Sequence, residues 1–432
     1  MSWEIVHIDL SQDIPALSSD NNIHVVFWWR HIPLAHTEIL ATQLPMPATQ
    51  VASLAASAIT PTVGAYVLKQ NLLEDAPIDF EALVGLTHPL TKLEYISQQL
   101  QKTVSIVICT RNRPEQLARC LQSLQNLSQP PHEIIVVDNA PTDDATMQVA
   151  KMSGVKYVKE PRPGLSIARN SGIRHSTGEI IAFTDDDVVV HPDWIIRLQQ
   201  AFDDPKVMSV TGLVLPGELK TEAQVMFEKH LGCFNFGYQP RTYDSDFFQL
   251  TKVLGAPVWH IGAGANMAIL RQAVNLVGEF DERLGAGAAG CSEDSEFWYR
   301  LLAAGWICRY YPASVVYHYH RGSVDSLKQQ MYCYMRGHVT ALLVQYEKYN
   351  DQGNLRRLFR TIPKWYIKSF IEALIKKSKF STFFAEIAGC FSGIIYYLNK
   401  KYFVGCVKAI TNFNEMKNST AFTHPPVTHR IK

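Results

Sequence analysis

Hydrophobic and polar positions divide the chain into three stretches of different rhythm. In residues 1–100, IVHIDL and HVVFWWRHI carry the β-branched and aromatic residues of strands, and a softer run, LPMPATQVASLAASAITPTVGAY, follows. From Thr103 the pattern alternates. TVSIVICT is an unbroken apolar strand of the kind found in a sheet covered on both faces. Pro114 then opens a helix whose Leu117, Leu121 and Leu124 share one stripe. HEIIVVDNA, VKYVKE and EIIAFTDDD are the next strands, with helical segments between them. This alternation predicts an α/β fold with a doubly wound, mostly parallel sheet and helices on both faces. SVVYHYH after Pro312 reads as a further strand, and a basic, apolar, helical tail comes last. The expected division is an N-terminal accessory region (1–100), an α/β domain (101–345) and a helical C-terminal region (346–432).

Composition narrows the function classes. The 432 residues are 47% hydrophobic and 19% charged, a globular balance. Lys+Arg 41 against Asp+Glu 40 leaves +1, so no global field favours nucleic acid, and no nucleic-acid partner is expected. The eight cysteines are scattered without a C-x-x-C pair, as in reduced thiols of a cytosolic compartment. The sequons at Asn126 and Asn418 carry little weight there. MSWEIVHIDL lacks the basic and apolar regions of a signal peptide. The longest apolar run, Ala388 to Leu398, is short of the ~20 residues of a spanning helix. The expected location is the cytoplasm, or the cytoplasmic face of a membrane as a peripheral protein.

The densest chemistry is FTDDD. In an open α/β sheet ligands bind beyond the carboxyl ends of strands, where Asp138 of VVDNA and Asp185–Asp187 both fall. Three adjacent carboxylates at the end of a buried strand repel one another and resist desolvation, so a cation is the natural complement. Asp185 and Asp187 share one side if the strand continues, and their hard oxygens suit Mg2+ or Mn2+. A charged turn capping the helix at HPDW fits the same residues. Glu293 and Asp294 in SEDSEFWYRL stand before an amphipathic helix, where acids complement the dipole. His318 and His320 alternate on one strand face, as core histidines or as ligands. Gly285-Ala-Gly-Ala-Ala-Gly290 is a literal G-x-G-x-x-G, but it follows EFDERL and has Tyr310 where a dinucleotide site needs an acid. It reads instead as a loop that orders over substrate.

Taken together and in order, VSIVICTRNRP, EIIVVDNAPTDD, GLSIARNSGI, GEIIAFTDDD, GAGANMAILR and SEDSEFWYRLLAAG resemble the family 2 glycosyltransferases of the GT-A fold, over roughly Thr103 to Gly322. The resemblance implies an inverting transfer of a sugar from a nucleotide-diphosphate donor (UDP, GDP or dTDP) to an acceptor hydroxyl. It implies a divalent metal, Mn2+ or Mg2+, and a place in cell-surface polysaccharide biosynthesis. On its motifs, Thr110, Arg111, Asp138, Arg169, Asn170, Asp185 and Asp186 would hold the nucleotide sugar. Asp187, with Asp185 and His318, would hold the metal through the D-x-D of FTDDD. Asp294 would be the catalytic base, and Glu293 its partner and acceptor ligand. Asn266 of GAGANM would line the acceptor site, or belong to a plain turn. A nucleotidyltransferase of related fold is the near alternative, but TRNRP lacks the Gly-rich, lysine-bearing phosphate loop. A silent nucleotide- or sugar-binding scaffold would have no chemical need for both Asp187 and Asp294.

In the tail, Ile367, Phe370, Ile371, Leu374 and Ile375 follow helical spacing among Lys364, Lys368, Lys376, Lys377 and Lys379. Such a helix packs on its own protein or lies on an anionic membrane. A peripheral membrane contact through residues 362–404 would suit a glycan acceptor that is lipid-linked.

Overall fold

The computed structural model describes residues 2–72, 102–230, 234–376 and 382–400. The Asn418 sequon, Lys377, Lys379 and the 401–404 end of the tail lie outside them, as do residues 73–101 of the N-terminal region.

The N-terminal region is a three-stranded sheet and one long helix. Strand β1 (Trp3–Asp9) runs parallel to β2 (Asn22–Trp29), which pairs antiparallel with β3 (Ile32–Ile39). Helix α1 (Ala48–Leu72) covers the sheet with Val51 and Ala55. The soft run read from the sequence is this helix. Its Ala/Ser content gives little contrast between faces, and it carries Pro61 inside, which masked the period. The other sheet face sends Val26 and Trp28 against Leu213, Leu215 and Val315 of the larger domain.

That domain is built on β4 (Val104–Thr110), β5 (Glu133–Asn139), β6 (Lys156–Glu160) and β7 (Ile180–Asp185). These four are parallel, in the order β6-β5-β4-β7. The unbroken run in β4 is buried on both sides. Ile106 and Ile108 meet Leu117, Leu121 and Leu124 of α2 (Pro114–Leu124). Val107 meets Ala168 and Ile173 on the opposite side. Between β5 and β6 lies α3 (Ala145–Met152), and between β6 and β7 lies α4 (Leu165–His175).

Past β7 the sheet becomes mixed. A turn leads to the short β8 (Val188–Val190) and α5 (Trp194–Gln200), then to β9 (Val207–Pro216) and α6 (Glu222–His230). After β10 (Arg241–Tyr243) and α7 (Ser245–Thr251), β11 (Asn266–Leu270) inserts antiparallel between β7 and β9. Helix α8 (Arg271–Val277) and α9 (Glu293–Ala303) precede β12 (Ile307–His318), which runs beside β9 and also pairs with β8 and β10. The strand expected after Pro312 starts earlier, at Ile307, because its register shifts between Tyr310 and Val315 and absorbs the proline.

The rest is helical: α10 (Val324–Tyr349), α11 (Gln352–Arg356), α12 (Ile362–Lys376) and a helix at 383–400, α13. Ile362 and Tyr366 seat α12 on Val339 and Leu342 of α10. Glycines 389 and 393 let α13 approach α10 so closely that an added Cβ would stand 2.3 and 2.6 Å from its carbonyls. Among the described residues no helix is long and apolar enough to cross a membrane.

Candidate active site

The parallel register aligns the carboxyl edge of the sheet. Thr110 stands opposite Asp138, and Cys109 opposite Asp185, so the ends of β4, β5 and β7 open on one cleft. Strand β7 stops at Asp185, and Asp186 and Asp187 form the turn into β8. This turn separates the three carboxylates. Asp186 points back and accepts from Thr110 Oγ1 at 2.7 Å and Arg113 at 3.1 Å. Asp187 lies 3.4 Å from His318 Nε2 and 3.4 Å from Arg113. Its backbone carbonyl accepts from the N–H of Tyr319, which locks the turn to β12.

Asp185, Asp187 and His318 each offer a ligand atom within 4.8 Å of the others. Burial pushes Asp185 up, against the opposing pull of Arg169 and helped by Asp187 and Asp186. Burial pushes His318 down to about 4, so its imidazole is neutral at physiological pH and free to ligate. Two carboxylates and a neutral imidazole fit Mg2+ or Mn2+ with room for phosphate oxygens. His320 sits behind, stacked on His318 at 5.0 Å and bonded to Glu228 at 3.2 Å. It supports the His318 ring and does not enter the cleft.

Asp138 is fully buried and accepts from Tyr157 OH at 2.9 Å, while its Oδ1 has no partner among the described residues. Burial raises its pKa. An unmatched acceptor at the strand edge suits a donor N–H or O–H of a ligand. Arg111 stands exposed on the turn after β4.

Two expectations change here. Arg169 and Asn170 were expected over a nucleotide, but both lie beneath the cleft, 2% and 1% exposed. Asn170 clamps the backbone of Phe280 through both its amide atoms. Arg169 donates to Glu293 at 2.6 Å and stands 3.7 Å from Asp185. The physical reason is position: both fall on the sheet-facing side of α4, where a guanidinium persists only if paired. Glu293 is therefore tied to Arg169, and its pKa is raised by burial against that cation. It is buried, 5% exposed, beneath the cleft surface.

Asp294 is the reachable member of the acidic pair, half-buried at the start of α9. Its Oδ2 accepts from the N–H of Gly264 at 2.8 Å and its Oδ1 from that of Ser295 at 2.6 Å. A Cβ on Gly264 would stand 2.6 Å from the Arg169 guanidinium, which would have to shift from its place between Glu293 and Asp185. Asn266, expected on the acceptor wall, is fully buried instead. Its amide donates to Leu213 and Ser314 carbonyls and accepts from Trp194 Nε1, so no polar atom is left for an acceptor.

The glycine run 285–290 is also unlike the mobile loop expected. Gly285, Gly287 and Gly290 all have positive φ, and a Cβ on Gly290 would stand 2.5 Å from the Cys333 carbonyl of α10. Leu165 N–H donates to Ala286 O at 2.8 Å. The run is pinned between α4 and α10, and it delivers α9 to the cleft. Sequence reading missed Arg113, Tyr157 and Gly264. The TRNRP turn offered a signal for Arg113; the others depend on register and loop path.

Residues 105–277 match the family model described as glycosyl transferase family 2. The succinoglycan biosynthesis protein ExoM of Rhizobium meliloti is 30% identical over 227 residues, half of this chain and 66% of that protein, just under two thirds of its length. Glycosyltransferase AglE of Haloferax volcanii is 25% identical over 276 residues, 62% of this chain and 81% of that one. A solved mannosyltransferase from Pyrobaculum calidifontis, in complex with GDP-Man and Mn2+, is similar at 16% identity with a TM-score of 0.45, over 78% of this chain and 96% of that chain.

Proposed function

Because residues 105–277 are a glycosyl transferase family 2 domain, we propose that this glycosyltransferase inverts the anomeric carbon of a nucleotide-diphosphate sugar as it moves that sugar to an acceptor hydroxyl. The observation that carries the reading is the Arg169 bridge. One buried guanidinium touches both Asp185, on the donor side, and Glu293, the neighbour of Asp294. Donor and acceptor carboxylates are thereby fixed in one frame, as an in-line displacement requires.

Asp138 and Thr110 mark the nucleoside end, and Asp185, Asp187 and His318 would hold the divalent metal, Mn2+ or Mg2+. Bound there, such an ion would supply positive charge to offset that of the diphosphate leaving group. Asp294 takes the proton of the acceptor hydroxyl while its oxygen forms the bond to the anomeric carbon. The bond from that carbon to the phosphate oxygen breaks, and its electron pair leaves with the nucleoside diphosphate. Gly264 and Ser295 N–H groups hold the Asp294 carboxylate at its post. The relative's role in succinoglycan biosynthesis supports a glycan acceptor, and a peripheral membrane contact of the tail would suit one that is lipid-linked.

Calorimetry with UDP, GDP and dTDP, with and without Mn2+, tests the donor site. One nucleotide is expected to bind with metal, and Asp187→Ala to lose that binding. Asp294→Asn should keep binding and lose turnover by about 10²–10⁴. Loss of nucleotide binding in Asp294→Asn, or binding in Asp187→Ala equal to wild type, overturns the assignment.

A further inference from the structure

Exposed large apolar side chains are concentrated in the C-terminal helices. Most of those among the described residues fall between Phe359 and Leu398. Helix α12 buries Ile362 and Tyr366 on α10 and leaves Trp365, Ile367, Ile371 and Ile375 more than half exposed. Helix α13 turns Phe384, Phe391, Ile395 and Leu398 outward, spaced by seven, four and three on one stripe, while its small residues meet α10. The third contribution could not be read from the tail. Leu250, Val253 and Leu254, at the end of α7, are 81%, 54% and 60% exposed. The turn they form is fastened to the C-terminal helices: Arg356 donates to the Val253 carbonyl at 2.8 Å, and Gly255 lies against Arg357.

Charge separates the occupants. The chain as a whole is nearly balanced, yet Arg356, Arg360 and Lys364 accompany this face, with Lys368 paired to Glu372 at 3.7 Å in an exposed ion pair. In a two-fold dimer the same patch meets itself, so these cations would face their own copies. An anionic bilayer accepts both parts: apolar side chains enter the acyl boundary while long basic stems reach the phosphates.

We propose that Leu250–Leu254, Phe359, α12 and α13 form one docking face for an anionic membrane surface. The proposal deepens, and rests on, the peripheral contact read from the tail, adding a second and distant segment to it. Its consequence for the reaction is positional. Ten Cα–Cα steps of chain lead from Leu254 to Gly264, which holds Asp294. Even fully extended they span about 35 Å, so the base lies within that reach of the lipid surface. A lipid-linked acceptor would then present its sugar to the cleft without leaving the bilayer.

The test is vesicle flotation of the full chain on phosphatidylcholine alone and on phosphatidylcholine with 30 mol% phosphatidylglycerol (a chosen composition, about one third anionic). Wild type is expected on the anionic vesicles, released by salt. Lys364→Glu/Lys368→Glu should weaken binding roughly 30-fold or more, and Leu250→Ser/Leu254→Ser about tenfold. All these positions are exposed, so thermal midpoints and nucleotide binding should stay unchanged. If Ile371→Ser/Ile375→Ser abolishes binding while the Leu250/Leu254 variant binds as wild type, the tail contact stands and the composite face is wrong. If wild type ignores anionic vesicles, both fail. A wild-type dimer in solution that Ile371→Ser/Ile375→Ser dissociates, without vesicle binding, would make the face a contact between copies and overturn the proposal.

Discussion

Arg169→Met would remove the cation between Glu293, 2.6 Å away, and Asp185, 3.7 Å away, at little change in volume. The side chains of Arg169 and Glu293 are 3% and 6% exposed, so water screens little of what is lost. The variant leaves Glu293, Asp294 and Asp185 facing one another without their counter-ion. Removing one partner of a buried pair costs about 3–5 kcal/mol. The cost depends on pH. Burial already raises the Glu293 pKa, and Arg169 is the chief opposing influence, so its loss raises that pKa further. A carboxyl group whose folded pKa lies above its unfolded value takes up a proton more readily when folded. Its penalty is full above the folded value and fades as pH falls toward the unfolded one. Urea unfolding of wild type, Arg169→Met, Glu293→Gln and the double variant at pH 8 and pH 5 reads this out. Arg169→Met should lose about 3–5 kcal/mol at pH 8 and visibly less at pH 5. The double variant should be more stable than Arg169→Met at pH 8, because a neutral amide replaces the stranded charge. A loss under about 1 kcal/mol at pH 8, as for a surface pair, or an equal loss at both pH values, would refute the bridge as the element joining the two halves of the cleft.

Two further outcomes follow from the same geometry. Arg113 is 43% exposed and donates to Asp186 and Asp187, so it competes with a divalent cation for them. Arg113→Ala should raise Mn2+ affinity by up to about fivefold, the scale of an exposed pair, in a calorimetric titration; weaker Mn2+ binding would contradict this. In the N-terminal sheet, burial lowers His24 to about 3, next to His36 at 4.9 Å. Below pH 6.5 the unfolded chain takes a proton that the folded chain refuses, so stability falls as pH drops from 6.5 toward 3. The contribution of His24 is up to about 1.4 kcal/mol per pH unit. His24→Gln should flatten the unfolding free energy between pH 7 and 5, and parallel slopes for variant and wild type would exclude His24 as a source.

The sheet strands were legible because a strand buried on both faces must be continuously apolar, as β4, β5 and β7 are. The clustering of Asp185, Asp187 and His318 was legible in part: the aspartates stand side by side at a strand end, and His318 lies on a strand whose side chains alternate. Arg169, Asn170 and Asn266 were misplaced because their partners, Glu293, Phe280 and Trp194, are 72 to 124 residues away. Their motifs gave the type of side chain but not the side of the element it would occupy. Helix α1 escaped because an Ala/Ser-rich face has almost no polarity contrast. The tail stripe could be read from its spacing, whereas its joining to Leu250–Leu254 depends on how α11 returns the chain to α7.

The packing of the N-terminal sheet on the larger domain sets a timetable for biosynthesis. Val26 and Trp28 are made early, but Leu213, Leu215 and Val315, against which they pack, come much later. At about 5–20 residues per second, the interval between Trp28 and Val315 leaving the ribosome is roughly 15–60 s. For that time the nascent sheet must keep an apolar face without its partner. The three strands and α1 can close their own small core among Ile23, Val25 and Val51 at once, whereas the Trp28 side waits for the last long strand. The newborn chain is thus most vulnerable to aggregation and most dependent on holding chaperones before β12 is complete.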